Sequence, residues 1–424
     1  NNGAKRDMHY EMEQEEHDVY PDDPDFDINK ARLVTTAPRI CVRYECVPMR
    51  FIKHVYKIHT YAQDGRLFEG KTPVSAFLNS SYDGSFIAGL MELRYIQSLP
   101  VERIINYFES HGFTLKKPTA HKLMEKASSL FENLYKCIRQ TALSDPYKAA
   151  DETYYKILVP EKNSKGKGVR KGYLWVVVGI NTRMIYLLYD DGSRSEKVIL
   201  NELGGCKGII QSDGYSPYRK LESDAYPHIT RIPCLQHIKR KFIDCGEDDP
   251  DAKRIVEMIN TLYQNEHKHK IGVDGWTVEQ NLVHRKKYAP DILGEIKDVL
   301  DDIEERGDLL PKSELKEAIT YLRNEWNAVV DIFNYGDTYL DNNIVERMNR
   351  YISLSRKNSL FFGSHKGAER GAILYTIALT CRMNKVNLFE YLTDIINRTA
   401  EWQPNTPLEK YRQLLPDRWE KAND

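Results

Sequence analysis

Apolar and polar positions change their period twice along this chain, and the changes divide it. From 40 to 56 the two kinds alternate, as in Ile40-Cys41-Val42-Arg43-Tyr44 and Phe51-Ile52-Lys53-His54-Val55, which predicts a small β-hairpin or ribbon. Residues 72–143 follow a helical period instead. Val101-Glu102-Arg103-Ile104-Ile105-Asn106-Tyr107-Phe108 sets its apolar groups on one face, His111-Gly112 closes that helix, and Pro118 begins another. Helix, glycine turn and helix make the helix-turn-helix pattern, with an ordinary αα-hairpin as the alternative. Lys116, Lys117, His121, Lys122 and Lys126 gather at the start of the second helix, where such modules meet DNA. Lys117 and Lys122 are the contacts expected there.

A strand period returns at Asp151. Segments 153–159, 173–180 and 184–189 are rich in Val, Ile, Leu, Tyr and Trp and read as a three-strand meander; a helix over 196–203, a strand at 208–212, a short helix near 218–222 and a strand at 228–235 follow. That β-β-β-α-β-α-β order is the ribonuclease-H-like pattern. Charged amphipathic helices at 251–264, 291–305 and 312–333 interrupt it as an insertion, and helices at 371–384 and 388–398 come after. The expected fold class is α/β: a ribonuclease-H-like catalytic core with a helical insertion, preceded by a small β segment and a helix-turn-helix-like DNA-binding region. The expected divisions are an acidic, disordered tail over 1–35, a β segment resembling a degenerate zinc finger over 36–70, and the helical region over 71–145. The first part of the core then covers 146–245, the insertion 246–335, the end of the core 336–400 and a C-terminal tail 401–424.

Charge changes this picture modestly. Residues 1–27 carry ten acids against Lys5 and Arg6, a charge of −8, which leaves +7 for the remainder of a chain whose net charge is −1. A basic body suits a polyanionic partner, and equally an ordinary solvated surface. The longest apolar stretch, 174–180, is far too short to span a bilayer. Seven irregularly spaced cysteines and no leader-like opening point to a reducing cytoplasm. Cys41 and Cys46 invite a zinc reading, but no second cysteine pair follows them.

Three acids in unlike contexts carry the chemistry: Asp151 at a strand, Asp213 after the strand at 208–212, and Glu346 inside Leu340-Asp341-Asn342-Asn343-Ile344-Val345-Glu346-Arg347. Strand Asp, strand Asp and helix Glu suggest a two-metal nuclease site, because two magnesium ions held by carboxylates stabilise both oxygens of an in-line phosphoryl displacement. Asp341 reads as structural, with Asn342 and Asn343 as caps of the Glu346 helix. Arg347, Arg350, Arg356 and Lys357 follow at spacings that suit phosphate contacts. Cys234 and His237 are two ligands, too few for a closed zinc site; they are expected beside the active site, His237 joining Lys239, Arg240 and Lys241 in facing a DNA backbone. The basic stretch 162–171 reads as a hairpin tip.

Together these segments resemble the insertion-sequence-66 family of bacterial DDE transposases. The resemblance rests on Ala150-Asp151-Glu152-Thr153, Gln211-Ser212-Asp213-Gly214-Tyr215, Cys234-Leu235-Gln236-His237 with Ile238-Lys239-Arg240-Lys241-Phe242, Leu310-Pro311-Lys312-Ser313, and the block 340–374. It implies Asp151, Asp213 and Glu346 as the catalytic, metal-binding triad, and it selects Asp151 over its neighbour Glu152, since adjacent strand residues face opposite ways. It implies cleavage at transposon ends and joining of 3′-hydroxyls to target DNA with Mg2+, Mn2+ substituting and zinc not expected. The partners implied are double-stranded DNA, a second copy when ends are paired, and small accessory proteins of the same element, in a nucleoid-associated cytoplasmic setting. A catalytically inactive DNA-binding regulator and a structure-specific nuclease are the alternatives.

Overall fold

The computed structural model describes residues 49–55, 57, 60–63, 66–69, 76–77, 80–162, 166, 168–403 and 405–421. The acidic tail, Cys41 and Cys46, and most of the basic tip at 162–167 lie outside the described residues. Residues 50–55, expected in the alternating hairpin, form no strand; two short strands beyond them, β1 (Thr60–Gln63) and β2 (Arg66–Glu69), pair antiparallel instead. The helical region holds α1 (Gly84–Met91), which runs into a π-helical turn, then α2 (Val101–Ser110), α3 (Lys117–Leu130) and α4 (Glu132–Ser144). Gly112, at φ +83°, makes the turn after α2, a conformation open to glycine at little cost.

The core is a five-stranded mixed sheet of β3 (Tyr147–Leu158), β4 (Val169–Gly179), β5 (Met184–Leu188), β6 (Gly208–Ser212) and β7 (Ile229–Pro233), in the order β5-β4-β3-β6-β7. β4 is antiparallel to both β3 and β5, whereas β6 and β7 run parallel to β3. Apolar β4 lies between β3 and β5, and Leu174 to Val178 are buried. Parallel connections need crossovers. α5 (Glu196–Leu203) leads from β5 to β6, and α6 (Ser216–Arg219) lies between β6 and β7.

Both exposed flanks of this sheet are covered by side chains that satisfy the backbone. On β5, Thr376 accepts the Leu187 amide (2.9 Å), Thr380 donates to the Ile185 carbonyl (2.8 Å) and the Tyr135 hydroxyl donates to the Leu187 carbonyl (3.0 Å). The Thr side chains belong to α12 (His365–Met383), a helix buried along most of its length. β3 outruns β6, and there α11 (Asn343–Asn358) takes over: Asn342 donates to the Ala150 carbonyl (3.0 Å), Arg356 to the Tyr154 carbonyl (2.7 Å) and the Phe362 amide to the Lys156 carbonyl (2.8 Å). A bare strand edge would leave these groups unpaired or open to other chains. Thr376→Val is accordingly expected to lower stability by about 1–3 kcal/mol, the cost of one orphaned buried amide; urea unfolding measures it, and an unchanged midpoint would deny the hydrogen bond its role.

The insertion consists of α8 (Pro250–Glu266), α9 (Val278–Glu305) and α10 (Glu314–Ile332), preceded by α7 (Leu235–Ile243). Its apolar faces join one core with β6, β7 and Leu340. α13 (Leu388–Thr399) and α14 (Leu408–Arg412) close the chain. Three further readings need correction. β3 begins at Tyr147, so Asp151 sits inside the strand rather than opening it; Tyr147 to Ala149 pair with β6, and that partner outweighs the weak strand preference of the two alanines. α9 begins thirteen residues before the expected 291 because Thr277 and Gln280 form a capping box and Pro290 is carried within the helix. Buried Asn281, Arg285 and Ala289 before the proline and Leu293 and Ile296 after it offset the hydrogen bond it removes. Asn342 does occupy the N-cap position of α11, but its side chain makes no cap bond and serves β3 instead; Asn343 is the first helical residue, its amide taken by Asp341 (3.1 Å).

Candidate active site

Three parallel strands meet at the candidate site, where β6 and β7 end and β3 continues past them. Ala149 of β3 pairs with Gln211 of β6, so two residues further on Asp151 stands level with Asp213. Ser212 of β6 pairs with Pro233 of β7, which sets Cys234 level with Asp213. Neighbouring strands lie about 5 Å apart, so Asp151, Asp213 and Cys234 form a row along the C-terminal edge, where open α/β sheets bind ligands.

A buried polar network fixes that row. The Tyr147 hydroxyl donates to Gln211 (2.6 Å), whose amide donates to the Tyr339 carbonyl (2.8 Å), and the Tyr339 amide returns to the Tyr147 hydroxyl (3.0 Å). This ties β3, β6 and the approach to α11 together. The insertion buttresses the same place: Tyr321 of α10 accepts the Gly214 amide (2.9 Å), and a side chain at Gly214 would run into that hydroxyl. Fully buried Arg231 of β7 donates to the Asp213 carbonyl (3.1 Å) and forms an ion pair with buried Glu325 of α10. From α9, buried Arg285 holds the Thr338 carbonyl (2.6 Å) and Asn281 the Gly336 carbonyl (2.8 Å), shaping the loop before α11.

Asp151 is the most perturbed acid of the row. Asn349 of α11 donates to its Oδ2 (2.7 Å) and the Glu152 amide to its Oδ1 (2.8 Å). Burial, with Glu152 and Asp213 nearby, nevertheless pushes Asp151 up to about 8. Like charges crowded without a cation favour the protonated form. Glu152, the adjacent strand residue, is held by Arg194 (2.9 Å to Nε) while burial raises its pKa. The Tyr218 side chain is fully buried, and burial together with Glu152, Asp151 and Asp213 holds its hydroxyl well above the phenol range. Asp213 accepts the Tyr215 amide (3.1 Å) and so fixes its own turn.

Glu346 lies one turn before Asn349 on the same face of α11, which brings it to the neighbourhood of Asp151. Its carboxylate, however, is turned toward α7. Glu346 Oε1 is 3.7 Å from His237 Nε2, and the donor atoms of Cys234, His237 and Glu346 all lie within 4.8 Å of one another. Among the described residues this is the grouping of ligand-type side chains close enough for a metal, and Asp151 and Asp213 stand outside it.

The expected DNA contacts separate into groups. His237, Arg240 and Lys241 line a cleft of about 320 Å3 with Asp213, Asp244, Arg194, Tyr215 and Tyr321, so they are gathered at Asp213. Lys239 lies over the Tyr263 ring (5.9 Å). Arg347, Arg350 and Lys357 are exposed on α11, whereas half-buried Arg356 bonds Thr153 and the Tyr154 carbonyl and covers the Tyr154 ring (4.0 Å). Lys117 and Lys122 are exposed on α3, Lys117 paired with Glu102 of α2 (2.9 Å). Sequence reasoning missed Asn349, Arg194, Tyr321 and the Arg231–Glu325 pair. Only Asn349 left a signal, its i+3 spacing from Glu346.

The sequence profile of the Transposase IS66 family matches residues 79–370, a span holding every strand of the sheet and all three acids. Similar curated proteins are the uncharacterized proteins y4jD, y4hP and y4qI of Sinorhizobium fredii (strain NBRC 101917 / NGR234). y4jD is 25% identical over 346 residues, 78% of this chain and 65% of that protein. y4hP is 24% identical over 438 residues, covering 94% of this chain and 76% of its own length. The chain thus spans about two thirds of the length of y4jD. With a family match over more than half its residues, centred on the sheet whose strand ends gather Asp151 and Asp213, this chain belongs to the IS66 transposase family.

Proposed function

We propose that this chain cuts phosphodiester bonds at transposon ends and joins the freed 3′-hydroxyls to target DNA, with Asp151, Asp213 and Glu346 as its metal-binding acids. The observation that carries the reading is the Asp151–Asp213 pair, level with each other on adjacent parallel strands, where burial, with Glu152 and Asp213 nearby, lifts Asp151 to about 8. Hard carboxylate oxygens, those of Asp213 lining the cleft and those of Asp151 level with it on the next strand, fit magnesium or manganese. When bound, the ion supplies Lewis-acid stabilisation of the oxygens at the reacting phosphate. The protein's own part is to hold the acids. Asn349 fixes Asp151, and the Tyr215 amide and α10 fix Asp213; a bound cation would favour the ionised form of Asp151. Arg240 and Lys241, lining the same cleft, give a phosphate backbone its counter-charge. The strand order β5-β4-β3-β6-β7, with three antiparallel strands and two parallel to the central one, supports the ribonuclease-H-like reading of the core.

In this reading α2 and α3 contact double-stranded DNA. Lys117→Ala and Lys122→Ala are each expected to weaken duplex binding and to flatten its dependence on the logarithm of salt concentration by about one unit for each phosphate no longer neutralised. Binding isotherms at several salt concentrations measure this, and unchanged slopes would leave α2–α3 an ordinary helical hairpin. The function itself is tested by incubating purified protein with labelled end-bearing duplexes, a target duplex and Mg2+ or Mn2+. Cleavage at the element's ends followed by joining is the expected result. Binding without cutting would establish a DNA-binding regulator instead, and cutting of branched DNA without joining a structure-specific nuclease.

A further inference from the structure

Cys234 and His237 sit at the N-terminal end of α7 as two of the three ligands an open zinc site needs, and the third is not adjacent to them in sequence. The fold brings one from more than a hundred residues away. Glu346 enters on α11, and the three donor atoms lie within 4.8 Å of one another. Cys234 Sγ is buried and accepts the Asn342 amide (3.2 Å), while burial pushes the thiol up to about 12. Two atoms of the trio are left over: His237 Nδ1 and Glu346 Oε1 are buried with no hydrogen-bond partner. Buried polar atoms are nearly always paired, so two orphans facing one thiol call for an explanation. The side chains of His237 and Glu346 are 30% and 28% exposed, and His237 lines the cleft beside Asp213, so an ion has a way in.

We propose that Cys234, His237 and Glu346 bind a thiophilic divalent cation of the zinc class, at a site whose preference differs from that of the carboxylate pair. Three protein ligands with one position left to solvent is the composition of an open zinc site. Thiolate and imidazole select zinc or cobalt over magnesium, which prefers oxygen. Zinc bonds of about 2.0–2.3 Å require the donors to close in by about 1 Å, a movement that the partly exposed Glu346 side chain supplies. The thiol proton leaves to solvent as the ion binds. One carboxylate cannot serve both ions fully, so occupancy draws Glu346 away from Asp151 and Asp213. Zinc-class metal therefore acts as an antagonist of magnesium at this site. That consequence rests on Glu346 being the third acid of the proposed nuclease; the binding site itself rests only on the three side chains.

Titration of metal-free, full-length protein with Co2+ tests the site by spectroscopy, independently of DNA cleavage. A thiolate-to-cobalt charge-transfer band in the near ultraviolet is expected, displaced by zinc and unmoved by excess magnesium. Cys234→Ser should lose the band and Asp151→Asn should keep it. His237→Gln and Glu346→Gln, on partly exposed positions that need not perturb folding, should weaken cobalt binding by more than about a hundredfold, since even outer partners of metal ligands contribute about 10- to 100-fold. Absence of the band in the native protein would overturn the proposal, as would its survival in Cys234→Ser or its retention at native affinity in both His237→Gln and Glu346→Gln. A band in a protein that cuts no DNA would leave this site standing and remove only the nuclease reading. Cleavage without the band would do the reverse.

Discussion

Asp151→Ala, Asp213→Ala and Glu346→Ala are each expected to lower DNA cleavage by at least about a thousandfold while binding of end duplexes persists. Metal ligands contribute several kcal/mol to the charge developed in the transition state, and each 1.4 kcal/mol is a factor of about ten in rate. The same acids repel phosphates, so removing one leaves binding unchanged or tighter. Parallel cleavage and mobility-shift assays on the three variants, each checked for folding, give the answer. Equal loss of binding and cleavage in all three would make the acids structural. Asp213 is the most informative of them: its turn is held by the Tyr215 amide, Tyr321 and Arg231, and the bonds of Arg231 and Tyr321 go to backbone that Asp213→Ala leaves in place.

Asp151→Asn is expected to make the metal-free protein more stable at neutral pH, by about 4 kcal/mol at most, and the gain shrinks as pH falls. The folded carboxyl titrates at about 8 against its ordinary 3.8, chiefly because it is buried. A carboxyl whose folded pKa is raised holds its proton more tightly in the native state; the stability it contributes is fully present below the ordinary value and drains away as pH rises through about 8. Each unit of difference is about 1.4 kcal/mol. Asparagine keeps the size without the charge, so the variant lacks that slope, and part of the gain is offset because its Nδ2 faces one of the two donors, Asn349 Nδ2 or the Glu152 amide. Magnesium should narrow the gap by stabilising the native chain and not the variant, through preferential binding to the folded state. Thermal unfolding from pH 4 to 9, with and without Mg2+, measures all of this, and a difference independent of pH would refute the crowded-carboxylate account.

Local pattern determined much of this protein. The five strands, α5, the strand before Asp213 and the alternation that separates Asp151 from Glu152 all follow from periods and turn residues that act within a few positions. The chemistry-bearing residues were legible for the same reason, since acids at strand ends and a Cys-x-x-His at a helix start are local features. Where the structure departs from that reading, a distant partner decides. β3 starts at Tyr147 because β6 pairs with it, and α9 passes through Pro290 because the faces on either side of the proline are buried.

Tertiary structure alone decided how the site is held and which side chains share it. The Tyr147–Gln211–Tyr339 network, the Arg231–Glu325 pair and the grip of Tyr321 on Gly214 join residues far apart in sequence. None of them has a periodic signature, because a buried polar group needs a partner at the right point in space and any stretch of chain can supply it. The pKa of Asp151 is likewise a property of burial and neighbours rather than of its own residue type. The direction of Glu346 is the sharpest instance: local pattern puts it on a helix, and only the packing of α11 against α7 turns its carboxylate toward Cys234 and His237.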